Sequence, residues 1–210
     1  MTTAIAHGVK SLIPVATLEE CKALQKKGHI SAAERDGKKA EGFDLGNSPF
    51  SYMDKNLVGK SIAVTTTNGT LAIARSKDAE EIVIGSFLNK TAIINYLNSQ
   101  SKDVLLLCAG WKGKINLEDT LFAGAVIEGL QDSFFSENDA AITAHTLYHS
   151  AKKDMMKFLS NSSHVRRLKG LNITKDIAFC LEQDVYNVIP VLRGKELVMM
   201  EMEAVEKGSK

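Results

Sequence analysis

A chain of 210 residues with 44% hydrophobic and 24% charged residues is long enough to bury a substantial core and has an ordinary globular balance. A formal net charge of +1, with no tail or face rich in Lys and Arg, gives no electrostatic case for nucleic acid or an anionic membrane, so any anion site must be local. No stretch approaches the roughly 20 apolar residues of a membrane span, no secretory start is present, and Cys21, Cys108 and Cys180 show neither disulfide nor zinc spacing, so a cytoplasmic protein is expected.

Met1 to Gly8 reads as the middle of a helix running into a Gly stop, as though the chain began inside an element. There follow a strand over 11–15, a helix over 18–27 opened by Thr17 as N-cap, a long polar loop through Pro49, and a strand over 61–65. Next come a helix over 70–75, a strand over 81–84, a helix over 91–98, a strand over 103–108 and a helix over 117–130. Short Val-, Ile- and Leu-rich strands alternating with amphipathic helices predict an α/β fold, layered α/β/α, with a largely parallel or mixed sheet.

From residue 131 the texture turns helical. Helices are expected over 139–148, over 152–168 with a polar break at Ser160-Asn161-Ser162-Ser163-His164, and over 175–182. Strands over 187–192 and 196–200 flank a Gly194 turn, and the tail after Met202 should fray. Ala4-Ile5-Ala6 echoes Ala72-Ile73-Ala74, and the Ala33 to Lys38 run echoes Ala109 to Lys114. One domain over 1–210 is therefore expected, with duplicated units 1–60 and 61–130 or a chance match both open, and a helical part over 131–202. Phe134, Phe135 and the Met-rich segment 198–202 can supply a homo-oligomer interface, although a core role suits them better.

The chemistry concentrates at turns. Glu34-Arg35-Asp36-Gly37-Lys38-Lys39, followed by Glu41-Gly42-Phe43-Asp44-Leu45-Gly46-Asn47-Ser48-Pro49, has no helical or alternating period, so it builds little core. Its carboxylates suit a hard divalent cation, its Arg can fork onto an oxyanion, and its glycines let backbone N–H groups approach a ligand. Thr65-Thr66-Thr67-Asn68-Gly69-Thr70 joins a strand to a helix without a Walker pattern. Thr66, Thr67, Asn68, Gly69 and Thr70 can aim donors at an anion, beyond the single N-cap that a plain turn requires.

Ser86 and Asn89 stand at another strand end as a helix cap or as ligand donors. Glu118 and Asp119 suit either the first turn of a helix, by its dipole, or Mg²⁺ together with Asp44 or Glu41. His164, Arg166 and Arg167 form a solvated basic helix end or a phosphate clamp with a proton donor. Each cysteine reads best as an inert thiol, and Cys108 lacks the Arg six residues on that a cysteine phosphatase needs, since that position is Lys114.

Taken together these segments resemble the 2-phosphosulfolactate phosphatase family, over nearly the whole chain. The resemblance rests on Glu34-Arg35-x-Gly37-Lys38, the Glu41 to Pro49 block, Thr65 to Thr70 and Gly85-Ser86-x-x-Asn89. Cys108-Ala109-Gly110, Leu117-Glu118-Asp119, Ser163-His164-x-x-Arg167 and Asp184-x-Tyr186-x-Val188-x-Pro190 extend it. It implies Mg²⁺-dependent hydrolysis of a phosphate monoester on a small sulfonated or carboxylated hydroxy acid, in a family associated with coenzyme M biosynthesis.

On that resemblance Asp44 and Asp119, with Glu41 and Glu118, hold the metal, Arg35 stabilises the transferring group and His164 protonates the leaving oxygen. Glu34, Asn47, Ser48, Thr66 to Thr70, Ser86, Asn89 and Arg167 bind the substrate. The family pattern also implies a preceding strand and an Asp-x-Leu-Arg-Ala-Thr-type turn upstream of Met1. The alternative from another class is a non-catalytic member that binds a phosphorylated or sulfonated small acid without turning it over.

Overall fold

The computed structural model describes residues 1–35, 37–168 and 174–201, the side chains of His164, Arg167 and Leu168 excepted. The chain runs α1 (Thr2–Ala6), β1 (Ser11–Pro14), α2 (Leu18–Lys26), β2 (Ile30–Arg35), β3 (Lys38–Lys39), β4 (Ser61–Thr65) and α3 (Gly69–Arg75). It continues with α4 (Lys90–Asn98), α5 (Leu117–Leu130), α6 (Asp139–Ala151), α7 (Met155–Leu159), α8 (Ser163–Leu168), α9 (Thr174–Cys180), β5 (Pro190–Arg193) and β6 (Glu196–Met199). No described helix is long and apolar enough to cross a membrane.

The strands form one sheet in the order β3-β2-β4-β1-β6-β5. β4 pairs in parallel with β1 on one side and β2 on the other, whereas β3, β6 and β5 join antiparallel, so the sheet is mixed. Period-two alternation sorts the side chains into two layers. Leu12, Ala32, Ile62 and Val64 pack with Ala4, Ile5 and Ile73 on one face, and Ala33 and Ala63 pack with Cys21 and Phe43 on the other. Helices therefore cover both faces of the sheet centre, as the layered reading requires.

Local chemistry explains the ends of α2. The Thr17 hydroxyl accepts the Glu20 N–H at 3.1 Å while the Glu20 carboxylate takes the Ala16 and Thr17 N–H groups, a reciprocal capping box.

Three expectations change. The polar loop expected from Glu34 to Pro49 begins inside the sheet, since Glu34 and Arg35 end β2, a strand over Ile30–Arg35 that the sequence pattern does not signal, and Lys38–Lys39 form β3. Ser31, Ala32 and Ala33 have weak strand propensity, but their small side chains fit between the two covering layers, so packing overrides it. Residues 81–84 form no strand of their own; they bond to β5 through Ile84 N–H to Pro190 O (2.8 Å) and Leu192 N–H to Ile82 O (2.9 Å). The strand expected over 103–108 is absent, and among the described residues none of 103–109 makes a hydrogen bond. Without ladder bonds the segment is held by side chains alone: Val104 and Leu106 pack against the cluster of Ile189 and Val126, while Leu105 (85%) and Leu107 (50%) face solvent.

Past the sheet, α5 and α6 form the most extensive helix contact. Gly124 allows it. A Cβ there would run into the Ala144 carbonyl and lie 2.7 Å from Tyr148 Cβ. Charge adds a smaller term on the same pair: Glu128 Oε1 of α5 receives Lys152 Nζ at 2.8 Å, with His149 Nδ1 at 3.5 Å and His145 Nε2 at 3.7 Å. The Lys152 hydrogen bond, aided by the two histidines and opposed by partial burial, holds the Glu128 carboxyl below its usual range.

Two outcomes follow for urea unfolding. Gly124→Ala, by overpacking the α5–α6 contact, should cost about 2–3 kcal/mol. Glu128→Gln should cost only about 0.5–1 kcal/mol at pH 7, since the pair is part-exposed. A depressed carboxyl stabilises the fold above its unfolded value and loses that contribution as pH falls through the lower folded value. The Glu128→Gln deficit should therefore shrink as pH falls below the ordinary glutamate range and vanish once pH has passed the depressed folded value.

Candidate active site

One cavity of about 1900 Å³ opens beyond the C-terminal ends of β2 and β4. Glu34, Asp44, Asn47, Ser48, Thr66, Thr67, Asn68, Gly69, Ser86, Glu118 and Asp119 all line it. Residues from separated segments thus line one large cavity, at the position where open α/β sheets bind ligands.

Each segment arrives by its own device. Asp44 is tied to β2: its Oδ2 accepts the Ser31 N–H and the Ser31 hydroxyl, both at 2.8 Å, and the Gln25 amide at 3.2 Å. The Ser31 carbonyl in return takes the N–H groups of Asp44 (3.1 Å) and Leu45 (2.9 Å). Burial by itself would raise the Asp44 pKa, but the Ser31 and Gln25 donors and the Lys39 charge outweigh it, and the carboxyl sits below its usual value. Asp44 is accordingly an anion at neutral pH.

At the end of β4 the threonines partly serve each other. The Thr66 hydroxyl accepts the Thr70 N–H at 3.1 Å, and the Thr70 hydroxyl donates to the Thr66 carbonyl at 3.1 Å. Thr70 is buried by this cap, whereas Thr67, Asn68 and Gly69 remain on the cavity wall. The first turn of α5 brings Glu118 and Asp119, and Asp119 Oδ2 accepts the Gly110 N–H at 2.7 Å. Asn68 Oδ1 accepts the Lys112 N–H at 3.2 Å. The turn from Gly110 to Lys114 is thereby fastened at its first residue to α5 and at its middle to the α3 entrance.

The chain matches the family model described as 2-phosphosulpholactate phosphatase over residues 1–195. A protein of Thermotoga petrophila named "Probable 2-phosphosulfolactate phosphatase" is 39% identical over 96% of this chain and 87% of its own length. A Caldanaerobacter subterraneus protein of the same name is 38% identical over 92% of this chain and 83% of its own. The Synechocystis protein of that name is 33% identical over 90% and 82%. The chain belongs to the 2-phosphosulfolactate phosphatase family.

Within this family member the remaining sequence candidates fall elsewhere. Arg35 lies at the end of β2, donating to the Glu34 carbonyl at 2.6 Å and to the Thr65 hydroxyl at 3.3 Å, and does not line the cavity. Glu41 lines a separate small cavity with Leu18, Lys22 and Phe43 and is not brought to the main one. Asn89 is fully buried: Oδ1 accepts from the Ser86 N–H (2.8 Å) and hydroxyl (2.9 Å), and Nδ2 donates to the carbonyls of Ile84 (3.2 Å) and Val188 (2.8 Å). Its amide is used up in holding Ser86 and two chain segments together.

The side chains of His164 and Arg167 lie outside the described residues, as does Asp36, although Ser162 and Val165 beside them line the cavity. Cys108 is exposed overall, yet the protein around its sulfur and the Asp119 carboxylate push its thiol up to about 11, which leaves no thiolate nucleophile.

Lys39 and Trp111 also line the cavity and were not picked out from sequence as ligands. Lys39 sat in view as one of two adjacent lysines, and only the short β3 pairing, with Glu34 opposite Lys39, turns it to Asp44. Lys112 (φ 49°) and Gly113 (φ 74°) both adopt left-handed backbone between Trp111 and Lys114, the signature of a tight primed hairpin turn. Gly110 (φ 63°) has no room for a side chain, since a Cβ would come within 2.6 Å of the Lys114 carbonyl oxygen. Gly110→Ala should therefore open this hairpin at a cost of about 1–3 kcal/mol. Hydrogen exchange at the Trp111 and Lys114 amides, which now bond each other's carbonyls, should accelerate at least about tenfold.

Proposed function

We propose that this protein hydrolyses a phosphate monoester of a small acidic hydroxy acid, with 2-phosphosulfolactate as the type substrate and Mg²⁺ as cofactor. The observation that carries the reading is the convergence of Glu34, Asp44, Thr67, Asn68, Gly69, Glu118 and Asp119 on one cavity. Family membership supplies the reaction class, and a cytoplasmic role in coenzyme M biosynthesis belongs to the same proposal.

The residues present suit Mg²⁺. Among the described residues no three His, Cys, Asp or Glu side chains form a ready metal cluster. Mg²⁺ does not need one, because it takes one or two carboxylates and completes its shell with water and phosphate oxygens. Asp44 and Asp119 would hold it, with Glu118 as a further carboxylate on the cavity; the metal would supply charge neutralisation for the phosphoryl oxygens.

The rest falls to the chain itself. The Thr67 hydroxyl and the N–H groups of the Asn68-Gly69 turn can donate to a phosphoryl oxygen, and Lys39 adds a positive charge on the same cavity. Arg35 lends positive charge from the end of β2, while Asn47 and Ser48 border the space for the acid end of the substrate. His164 is the proposed donor to the leaving oxygen, on the helix whose neighbouring residues edge the cavity.

Phosphate release from 2-phosphosulfolactate by the purified chain tests the reading. Release is expected with Mg²⁺, should stop with EDTA, and should fall at least about 100-fold in Asp44→Asn and Asp119→Asn. Binding of the substrate without release, with or without Mg²⁺, would make this a binding protein and overturn the enzymatic proposal.

A further inference from the structure

Ser31 was not among the residues marked by sequence, yet it makes the contacts that decide how Asp44 meets the cavity. It lies fully buried on β2, opposite Ala63 of β4, so the sheet fixes its position. Its N–H and hydroxyl both end on the same carboxylate oxygen, Asp44 Oδ2, and Gln25 of α2 reaches that oxygen from the other side. Three donors fill the acceptor capacity of one carboxylate oxygen. Among the described residues Oδ1 has no hydrogen-bond partner, and Asp44 lines the cavity.

We propose that Ser31 is a positioning residue for the reaction: its hydroxyl locks Oδ2 of Asp44 so that the carboxylate offers only Oδ1 to a divalent cation in the cavity. The inference rests on the reading of Asp44 as a metal ligand. Asp44 is exposed, and an exposed aspartate would otherwise turn about its side-chain bonds and present either oxygen or both. A hydroxyl that fixes one oxygen removes that freedom before the cation arrives, the role that outer partners commonly play for metal ligands. The hydroxyl also accepts the Asp44 N–H at 3.2 Å, but the bonds from the Asp44 and Leu45 N–H groups to the Ser31 carbonyl, and from the Ser31 N–H to Asp44 Oδ2, persist without it, so Ser31→Ala leaves the strand's own hold on this stretch in place.

Titration of the full chain with Mn²⁺, followed by electron paramagnetic resonance in the absence of substrate, tests this. Asp44→Asn should weaken binding, and Ser31→Ala should weaken it about tenfold. The double variant should bind no more weakly than Asp44→Asn alone, because both bonds of the Ser31 hydroxyl, to the carboxylate and to the N–H of Asp44, bear on that one residue. Gln25→Ala, at a half-buried position of α2, removes the third donor, together with a 3.3 Å bond to the Gly42 carbonyl, without touching the core. It should give a smaller loss that likewise disappears in the Asp44→Asn background, which keeps the test available should Ser31→Ala fail to fold.

Unchanged Mn²⁺ affinity in both Ser31→Ala and Gln25→Ala, with Asp44→Asn weakened, overturns the positioning role alone. A Ser31→Ala loss that persists at full size in the Asp44→Asn background overturns it too, by placing the effect elsewhere. Unchanged affinity in Asp44→Asn overturns the metal reading of Asp44 and this inference with it.

Discussion

The parallel pairing of β4 between β1 and β2 is the constraint from which the cavity wall is built. Ser11↔Ser61 through Pro14↔Val64 and Ile30↔Ile62 through Ala33↔Thr65 set the register on the two sides of one strand. A one-residue slip would turn Ile62 and Val64 out of the apolar layer they share with Leu12 and put Ala63 in their place. The same slip would move Thr66 to Gly69 relative to Glu34. Burial of a few side chains of β4 thus fixes both the stability of the sheet centre and the relative placement of the polar loops that follow it.

Beyond the sheet ends, a single electrostatic device recurs. Asp44 gives Oδ2 to the backbone N–H of Ser31, and Asp119 gives Oδ2 to the backbone N–H of Gly110. Charge-assisted bonds of this kind are stronger than neutral ones, and each ties a flexible stretch to a regular element. For Asp44 the element is β2, and the tied stretch leads through Asn47 and Ser48 along the cavity. For Asp119 the element is α5, and the tied stretch is the hairpin that carries Trp111. Each of these acids therefore commits one oxygen to the fold, and mutation of either one should loosen the stretch that it ties.

Much of this was legible in the sequence. Thr17 with Glu20 marks the start of α2, the Leu117 start of α5 carries two acids, and the run from Thr65 to Gly69 joins strand to helix where the pattern requires. What escaped was decided by packing and by partners far along the chain. β2 is hidden by its small residues, since Ser-Ala-Ala looks like a loop until helices cover both its faces. Residues 103–108 have the composition of a strand, but composition cannot supply ladder bonds. Asn89 resembles a ligand in sequence because a buried amide that braces two segments and an amide that binds substrate use the same atoms. Ser31 was silent for the converse reason: its partner lies 13 residues away in an irregular stretch.

The central claim is that the ends of β2 and β4 and the start of α5 form one site for a divalent cation and a phosphate group. Anomalous diffraction at the manganese edge, from crystals grown with Mn²⁺ and inorganic phosphate, tests it most directly. The account predicts an anomalous peak in the main cavity bonded to Asp44 through one oxygen, with phosphate against Thr67 and the Asn68-Gly69 turn. Manganese bound elsewhere, on the Glu41 side of α2 for example, with the main cavity holding neither ion, would contradict it.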